Sequence, residues 1–145
     1  MKKVRKTLVL EEGVYIYVDG KPQRISSLSF ENGKYIVFFD NRKCPFCRIF
    51  DVMWDLLVKD QMLSDIKFVK VVCSYFASDC VNEEAKKAYT EYEIWKSPTV
   101  MLVEVTNSEK RISKFTPSQY NYDLQLIKKA ILNFFQRVES NANKQ

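Results

Sequence analysis

The chain has 145 residues, a length that suits one domain with a sizeable hydrophobic core. With 46% hydrophobic residues, including 10 Phe, it has enough apolar side chains to exclude wholesale disorder. Its net charge of +5 arises from interspersed basic and acidic residues, and the absence of histidine excludes His-based catalytic triads and His-ligated zinc.

Residues 1–6 form a short basic cluster at the start of the chain. We expect a solvated terminus and no nucleic-acid partner, because the cluster is short and the charges elsewhere are mixed. The apolar stretch at residues 8–10 is too short for the hydrophobic region of a signal peptide. Because no apolar run approaches about 20 residues, the sequence predicts a soluble cytoplasmic protein with no membrane partner.

The N-terminal segment predicts β-structure. Residues 7–10 and 14–18 are rich in the β-branched, aliphatic and aromatic side chains of strands. Asp19-Gly20 is a strong tight-turn signal and leads towards Arg24-Ile25. We therefore expect a hairpin or a pair of strands ahead of the rest of the fold.

The next segment predicts a buried strand followed by an amphipathic helix. After the Asn32-Gly33 turn, residues 35–39 form a continuous apolar run, which is typical of a strand covered on both faces. The sequence Cys-Pro-Phe-Cys at residues 44–47, here called the CPFC motif, then opens a helical pattern. Three- and four-residue steps predict one buried face made of Phe46, Ile49, Phe50, Met53, Trp54 and Leu57.

A second strand and helix follow. Residues 68–72 are another buried-type strand. Asn82 is the predicted N-cap of the helix, with Glu83 and Glu84 near the positive end of the helix dipole. The predicted inner face consists of Ala85, Ala88, Tyr89 and Tyr92.

The C-terminal part predicts two strands and a last helix. Residues 99–105 are an apolar strand, and residues 111–115 alternate as an edge strand does. Residues 116–119, Thr-Pro-Ser-Gln, combine a capping box with proline at the first helical position. The tail from Ser140 is polar and is expected to fray. The predicted helix face consists of Leu124, Ile127, Ile131, Phe134 or Phe135, and Val138.

The predicted order is therefore a β-pair followed by β-α-β-α-β-β-α. Because β-α-β crossovers are right-handed, the strands at 35–39 and 68–72 should be parallel neighbours, with helices on both faces of the sheet. The strands at 99–105 and 111–115 should form an antiparallel hairpin. The order predicts the α/β class in one domain, residues 1–145.

The CPFC motif has the spacing and the context of a reactive dithiol. At the start of a helix, unpaired N–H groups and the helix dipole favour a negative charge, which stabilises Cys44 as the thiolate that attacks disulfides. Arg42 and Lys43 act in the same direction. Cys47, one turn later, is within reach to resolve a mixed disulfide, and Pro45 fits the first turn of the helix.

These features resemble the thioredoxin superfamily over residues 34–138. The resemblance rests on the CPFC motif after the first buried strand, on the β-α-β-β-α order that follows, and on Ser97-Pro98-Thr99 at the start of the third strand. It implies a three-layer α/β/α sandwich with a mixed central sheet. Residues 1–33 would add an N-terminal β-extension, and residues 139–145 a polar tail.

The resemblance also implies the activity, a thiol–disulfide oxidoreductase that reduces, forms or exchanges protein disulfides. Cys44 is the expected nucleophile and Cys47 the resolving thiol. Substrate binding is expected from Pro45, Phe46, Ser97 and Pro98, with a cis bond before Pro98. No metal or organic cofactor is implied, because the disulfide carries the electrons. A flavoprotein reductase is the expected partner if the protein cycles as a reductant.

Two positions depart from the family pattern. Lys43 stands where a tryptophan usually precedes the first cysteine, and Phe38 stands where thioredoxins bury an aspartate. These departures keep an alternative open, in which the chain is a thioredoxin-fold binding module with structural cysteines. A zinc site completed by Cys73 and Cys80 is a further alternative, although their spacing is unlike that of a zinc knuckle.

Cys73 and Cys80 are expected to form a second, structural disulfide. One ends the strand at 68–72 and the other precedes the helix capped by Asn82, so a bridge is within reach in this fold. Two reduced thiols, or a regulatory pair exchanging with the CPFC motif, are the alternatives.

Overall fold

The computed structural model describes the backbone of residues 9–143 and the side chains of residues 9–136. Over that range the chain forms six β-strands and three α-helices, with two short 3-10 turns. In chain order the elements are β1 (Gly13–Val18), β2 (Lys21–Ile25), β3 (Gly33–Asn41), α1 (Pro45–Val58), the 3-10 turn Gln61–Leu63, β4 (Lys67–Cys73), α2 (Glu83–Glu91), β5 (Thr99–Thr106), β6 (Glu109–Phe115), the 3-10 turn Pro117–Tyr120 and α3 (Leu124–Asn143).

The strands form one mixed sheet in the order β2-β1-β4-β3-β5-β6. β3 and β4 are parallel neighbours in which Phe38 lies opposite Lys70, and the other strand pairs are antiparallel. The N-terminal hairpin β1-β2 extends the sheet beyond β4. The predicted parallel pair, the closing hairpin β5-β6 and the N-terminal β-extension are therefore confirmed.

The central strand β3 is covered on both faces, which explains its continuous apolar run. Ile36 and Phe38 point into the layer formed with α1 and α3, whereas Val37 and Phe39 point into the layer formed with α2. These four side chains are fully buried. Because successive strand residues face opposite sides of a sheet, each layer receives every second residue. Helices cover both faces, as a three-layer α/β/α sandwich requires.

The second helix begins as predicted. The Asn82 side chain accepts a hydrogen bond from the backbone N–H of Ala85 at 2.9 Å. Glu83 and Glu84 lie in the first turn, where the helix dipole favours negative charge. The inner face consists of the buried Ala85, Ala88 and Tyr89, with the half-buried Tyr92 at its edge.

Four of the six side chains predicted on the buried face of α1 are buried, namely Phe50, Met53, Trp54 and Leu57, and the other two are not. Phe46 and Ile49 are 55% and 51% exposed, so the prediction that they face the core is wrong. An α-helix has about 3.6 residues per turn, and the buried stripe follows three- and four-residue steps from Cys47 instead of from Phe46. Val52 and Leu56 continue the exposed apolar face. The buried residues of α1 are Cys47, Phe50, Asp51, Met53, Trp54 and Leu57.

The predicted capping box at residues 116–119 is present, but it opens a 3-10 turn and not the last helix. Asn121 and Tyr122 then adopt left-handed backbone conformations, with φ of 54° and 51°, and these end the turn. α3 begins separately, where the Asp123 side chain accepts from the backbone N–H of Leu126 at 3.0 Å. The predicted apolar face holds for the described side chains, with Ile127, Ile131 and Phe135 buried and Leu124 and Phe134 half-buried.

Predictions near the ends of the chain are corrected or lie outside the described residues. Of the strand predicted at 7–10, residues 7 and 8 lie outside them, and residues 9 and 10 are not in a strand. α3 runs to Asn143 and so includes the first residues of the segment expected to fray from Ser140. The side chain of Val138 also lies outside the described range. No helix within residues 9–143 combines the length and apolar character needed to cross a bilayer.

Candidate active site

The CPFC motif lies at the junction of β3 and α1. β3 ends at Asn41, and Pro45 is the first residue of α1, so Cys44 occupies the N-cap position. Proline is tolerated at the first position of the helix because the first N–H groups of a helix have no intrahelical acceptor. No side chain caps this helix end. The free N–H groups and the positive end of the dipole are therefore available to a negative charge on the Cys44 sulfur.

The two cysteines of the motif are free thiols that differ in exposure. Cys44 is 9% exposed and lines a cleft at the protein surface. Cys47, nearly one turn further along α1, is fully buried. Cys44 is therefore the thiol that a sulfur of another molecule reaches first.

The peptide bond between Ser97 and Pro98 is cis, as the resemblance implies. This bond lies in the segment immediately before β5, and that segment contacts both cysteines. The Cys44 thiol donates to the carbonyl oxygen of Ser97, with 3.8 Å between sulfur and oxygen. The Ser97 hydroxyl oxygen lies 2.9 Å from the Cys47 sulfur. Ser97 thus contacts both sulfurs of a motif some 50 residues earlier in the chain.

Burial is the largest influence on the pKa of Cys47. It raises the pKa of this thiol far above the usual range, and the nearby Asp40 carboxylate raises it further. The Ser97 hydroxyl and the backbone N–H of Asn41, whose nitrogen lies 3.5 Å from the sulfur, partly offset this by stabilising the thiolate. Cys47 is therefore a protonated thiol at neutral pH unless a neighbouring group takes its proton.

The surface beside Cys44 is a cleft of about 1030 Å³ with an aromatic rim. Trp95 and Phe46 are 74% and 55% exposed at this rim, and Tyr75 is also exposed. Trp54, in contrast, is fully buried in the core. The cleft brings together five of the predicted catalytic and substrate-binding residues, namely Cys44, Pro45, Phe46, Ser97 and Pro98, while the sixth, Cys47, lies behind them.

Comparison with known proteins decides the fold. No protein-family model and no curated protein sequence matches this chain. Solved structures do match it. Among them are mitochondrial thioredoxin 3 from Saccharomyces cerevisiae in its oxidized form (TM-score 0.50, 20% identity, 71% of this chain and 80% of that one), the Trx4 domain of ERdj5 (0.54, 18%, 73% and 82%), and thioredoxin from Aeropyrum pernix (0.52, 15%, 74% and 84%).

The protein has the thioredoxin fold. The sheet order, the helices on both faces and the cysteine pair at the start of α1 all agree with this assignment. Because the sequence identities are 20% or lower, the likeness establishes the fold, and the activity has to be argued from the geometry of the site itself.

This thioredoxin fold contains a group of four charged residues, here called the buried charge cluster, that the sequence analysis missed. The Lys70 ammonium lies 3.3 Å from Asp51, and Asp51 lies 2.9 Å from the Arg48 guanidinium. Arg48 also pairs with Asp40. Asp40, Asp51 and Lys70 are each at least 95% buried. Lys70 also lies opposite Phe38 in the sheet, and its ammonium is 5.0 Å from the centre of the Phe38 ring, a cation–π contact.

Three sequence signals could have identified the buried charge cluster. Asp51 lies four residues after Cys47 on the buried face of α1, Asp40 ends the apolar run of β3, and Lys70 interrupts that of β4. Each is a charge in a position where a hydrophobic residue is expected, and buried charges are paired. Burial raises the pKa of Asp51 to about 6 despite its contact with Lys70.

Cys73 and Cys80 form a disulfide, with 4.9 Å between their Cα atoms. The zinc alternative is therefore wrong, because two of its four thiolates are bonded to each other. The bridge closes a loop of about eight residues and would stabilise the fold by about 2.5 kcal/mol on the chain-entropy model. The loop lies against the segment just before the CPFC motif, since the backbone N–H of Arg42 donates to the Cys73 carbonyl at 2.9 Å and that of Phe76 donates to the Asn41 side chain at 2.8 Å.

Glu12, in the segment before β1, holds the same loop from its other side. Its carboxylate accepts hydrogen bonds from the backbone N–H and the hydroxyl of Ser74 at 3.1 and 2.6 Å. It also accepts from the backbone N–H groups of Val81 and Asn82 at 2.7 and 2.9 Å. No sequence signal marks this role, because all four donors are more than 60 residues away along the chain.

Replacement of Glu12 by glutamine should lower the free energy of unfolding by about 1 kcal/mol at pH 7, because an amide cannot accept all four hydrogen bonds. Although burial raises the pKa of Glu12, the hydrogen bonds outweigh it and hold that pKa below 4.5. The stabilisation is therefore present above pH 4.5 and is lost as the pH falls through the lowered value. Urea unfolding of both proteins at pH 7 and at pH 3 measures the difference.

The matched control is Glu11→Gln, which changes an exposed neighbour and should shift the free energy of unfolding by less than about 0.5 kcal/mol. If Glu12→Gln and Glu11→Gln have equal effects at pH 7, the carboxylate of Glu12 does not anchor the loop.

Proposed function

We propose that the protein is a thiol–disulfide oxidoreductase acting on protein disulfides or dithiols, with Cys44 and Cys47 as the catalytic pair. One observation carries the proposal. The two thiols of the CPFC motif are free and contact the cis Ser97–Pro98 segment beside an open cleft, whereas the other two cysteines are bonded to each other. The chain thus keeps one dithiol available for exchange.

The first step of the proposed reaction belongs to Cys44. Its thiolate, at the N-terminus of α1, attacks one sulfur of a substrate disulfide. A bond forms between the Cys44 sulfur and that substrate sulfur, and the substrate disulfide bond breaks. The electron pair of the broken bond leaves with the second substrate sulfur, which is protonated by water. The product is a mixed disulfide held at the cleft.

The second step belongs to Cys47. Its sulfur attacks the Cys44 sulfur, and the electron pair of the mixed disulfide leaves with the remaining substrate sulfur. The substrate is then reduced by two electrons, and the protein holds a disulfide between Cys44 and Cys47. Full burial of Cys47 keeps it away from external disulfides, so that it reacts with the partner bound to Cys44.

The cleft suits an extended polypeptide segment around the substrate sulfur. Ser97 lines the cleft with its carbonyl oxygen 3.8 Å from the Cys44 sulfur, and the exposed Phe46, Trp95 and Tyr75 offer apolar contact at the rim. The oxidised protein needs a source of electrons to act again as a reductant. We propose a flavoprotein reductase for that role.

A stoichiometric reaction with insulin tests the proposal. Reduced protein is mixed with insulin in the absence of any other thiol, quenched in acid, alkylated and digested. We expect mass spectrometry to find one Cys44–Cys47 disulfide for each insulin disulfide reduced, with the Cys73–Cys80 bridge present before and after.

If Cys44 and Cys47 are recovered as alkylated thiols after hours with insulin and with a stronger oxidant such as glutathione disulfide, the dithiol is inert. That result would favour the binding-module alternative, in which the cysteines are structural.

A further inference from the structure

The hydroxyl of Ser97 makes a contact that substrate binding does not explain, because alignment of a substrate chain needs only the backbone of Ser97. That hydroxyl lies 2.9 Å from the sulfur of the fully buried Cys47. The backbone N–H of Asn41, the other hydrogen-bonding group at this sulfur, can only donate. Within the described part of the chain, the Ser97 hydroxyl is therefore the one acceptor in hydrogen-bond contact with the Cys47 thiol.

The position of Ser97 links the buried sulfur to solvent. Cys47 is fully buried, while Ser97 is partly exposed and lines the cleft. A hydroxyl accepts one proton while it donates another, so it can pass a proton between two sites without a net change. This is the property that a buried thiol needs when it becomes a nucleophile.

We propose that the Ser97 hydroxyl takes the proton of Cys47 when Cys47 attacks the mixed disulfide, and passes its own proton to the cleft. This inference rests on the proposed function and adds a residue to its second step. Ser97 is then a catalytic residue through its side chain, in addition to any role of its backbone in substrate binding.

The Cys47 sulfur bonds to the Cys44 sulfur while the bond between Cys44 and the substrate sulfur breaks, and the electron pair leaves with the substrate sulfur. The Cys47 proton moves to the Ser97 oxygen. The hydroxyl proton of Ser97 moves to water or to the departing thiolate in the cleft, so Ser97 ends the step unchanged.

Other charged and titratable groups surround Cys47: Asp40 from β3, Cys44 from the N-cap of α1, Arg48 from α1, Tyr89 from α2 and Tyr122 from the segment before α3. In the described residues, none of them is hydrogen-bonded to the Cys47 sulfur. Asp40 is paired with Arg48, and the Tyr89 hydroxyl donates to the Asn41 side chain at 2.9 Å. These groups interact with Cys47 through their charges, whereas the Ser97 hydroxyl is in hydrogen-bond contact with its sulfur.

The test isolates the second step. Reduced protein is treated with one equivalent of dithionitrobenzoate, which places a nitrothiobenzoate group on Cys44. Attack by Cys47 then expels the coloured thiolate, whose release is followed by stopped-flow absorbance across a range of pH. The compared variants are Ser97→Thr, which keeps a hydroxyl, and Ser97→Val, whose side chain has the shape of threonine but no hydroxyl.

We expect Ser97→Val to slow the expulsion about tenfold at neutral pH and to move its pH profile upward by about one unit, because the thiolate loses its hydroxyl hydrogen bond. Ser97→Thr should retain most of the rate and the profile. Ser113→Ala, which removes an exposed hydroxyl on β6, should match the wild type. If valine at position 97 prevents folding, Ser97→Ala gives the same reading with a smaller side chain.

Equal rates and equal pH profiles for the threonine and valine variants would overturn the role of the Ser97 hydroxyl while leaving the proposed function intact. Failure of the wild-type protein to expel the coloured thiolate would instead contradict the proposed function, and the role of Ser97 with it.

Discussion

Serine in place of Cys44 should reduce insulin reduction to the background rate of dithiothreitol alone. The only other free thiol in residues 9–143 is Cys47, and full burial prevents it from reaching an external disulfide. Serine in place of Cys47 should have a different effect. Cys44 still attacks, but nothing resolves the product, so a mixed disulfide with an insulin chain accumulates. A non-reducing gel and a turbidity assay measure the two outcomes.

The control for both variants is the double replacement of Cys73 and Cys80 by serine. It removes two sulfurs without touching the CPFC motif, so insulin reduction should continue even though the free energy of unfolding falls by about 2.5 kcal/mol. Turnover by the Cys44→Ser protein at half the wild-type rate or more would show that Cys44 is not the nucleophile. Accumulation of the adduct on Cys44→Ser instead of on Cys47→Ser would reverse the two roles.

Replacement of Lys70 by methionine should lower the free energy of unfolding by about 3 kcal/mol at pH 8. The substitution preserves the length of the side chain but leaves Asp51 in the buried charge cluster without its lysine partner. Breaking a buried ion pair from one side is costly because an uncompensated charge remains in a site with little water. Arg48, 2.9 Å from Asp51, still neutralises part of that charge, which keeps the cost near the lower end for such pairs.

The cost of Lys70→Met should fall in mild acid. Burial raises the pKa of Asp51 from 3.8 to about 6, so the folded state favours the neutral carboxyl. The stability that this protonation contributes is present in acid and is lost as the pH rises through about 6. Removing Lys70 raises this pKa further. The destabilisation should therefore be smaller at pH 5, where Asp51 can remain protonated, than at pH 8.

Two further variants test whether the effect of Lys70→Met comes from Asp51. Lys67→Met replaces an exposed lysine on the same strand and should change the free energy of unfolding by less than about 0.5 kcal/mol. The double variant Asp51→Asn with Lys70→Met removes both charges and should recover much of the loss. Urea unfolding at the two pH values measures all four proteins, and a pH-independent cost of Lys70→Met would contradict the proposed origin in Asp51.

Structure could be predicted from the sequence where a local pattern has one structural outcome. The apolar run at 35–39 predicted a strand covered on both faces, and Asn82 predicted the start of α2, because burial periodicity and N-capping are local properties. The prediction was wrong for Phe46 and Ile49, which are apolar but exposed. Amphipathic periodicity cannot distinguish a helix with one apolar face from a helix whose second face is also apolar.

The sequence by itself determined the order of the elements and the position of the CPFC motif at the start of a helix. Both follow from residue types within a few positions of one another, and the mixed sheet then follows from that order and from the rule for β-α-β crossovers. Only the tertiary structure decided how the site is completed, because those contacts join distant segments. Ser97 meets Cys47, Lys70 meets Asp51 and Glu12 meets the loop after β4 across 50, 19 and more than 60 residues respectively. Such pairs are chosen by the packing of the whole fold, where a buried polar group must find a partner wherever the chain brings one near.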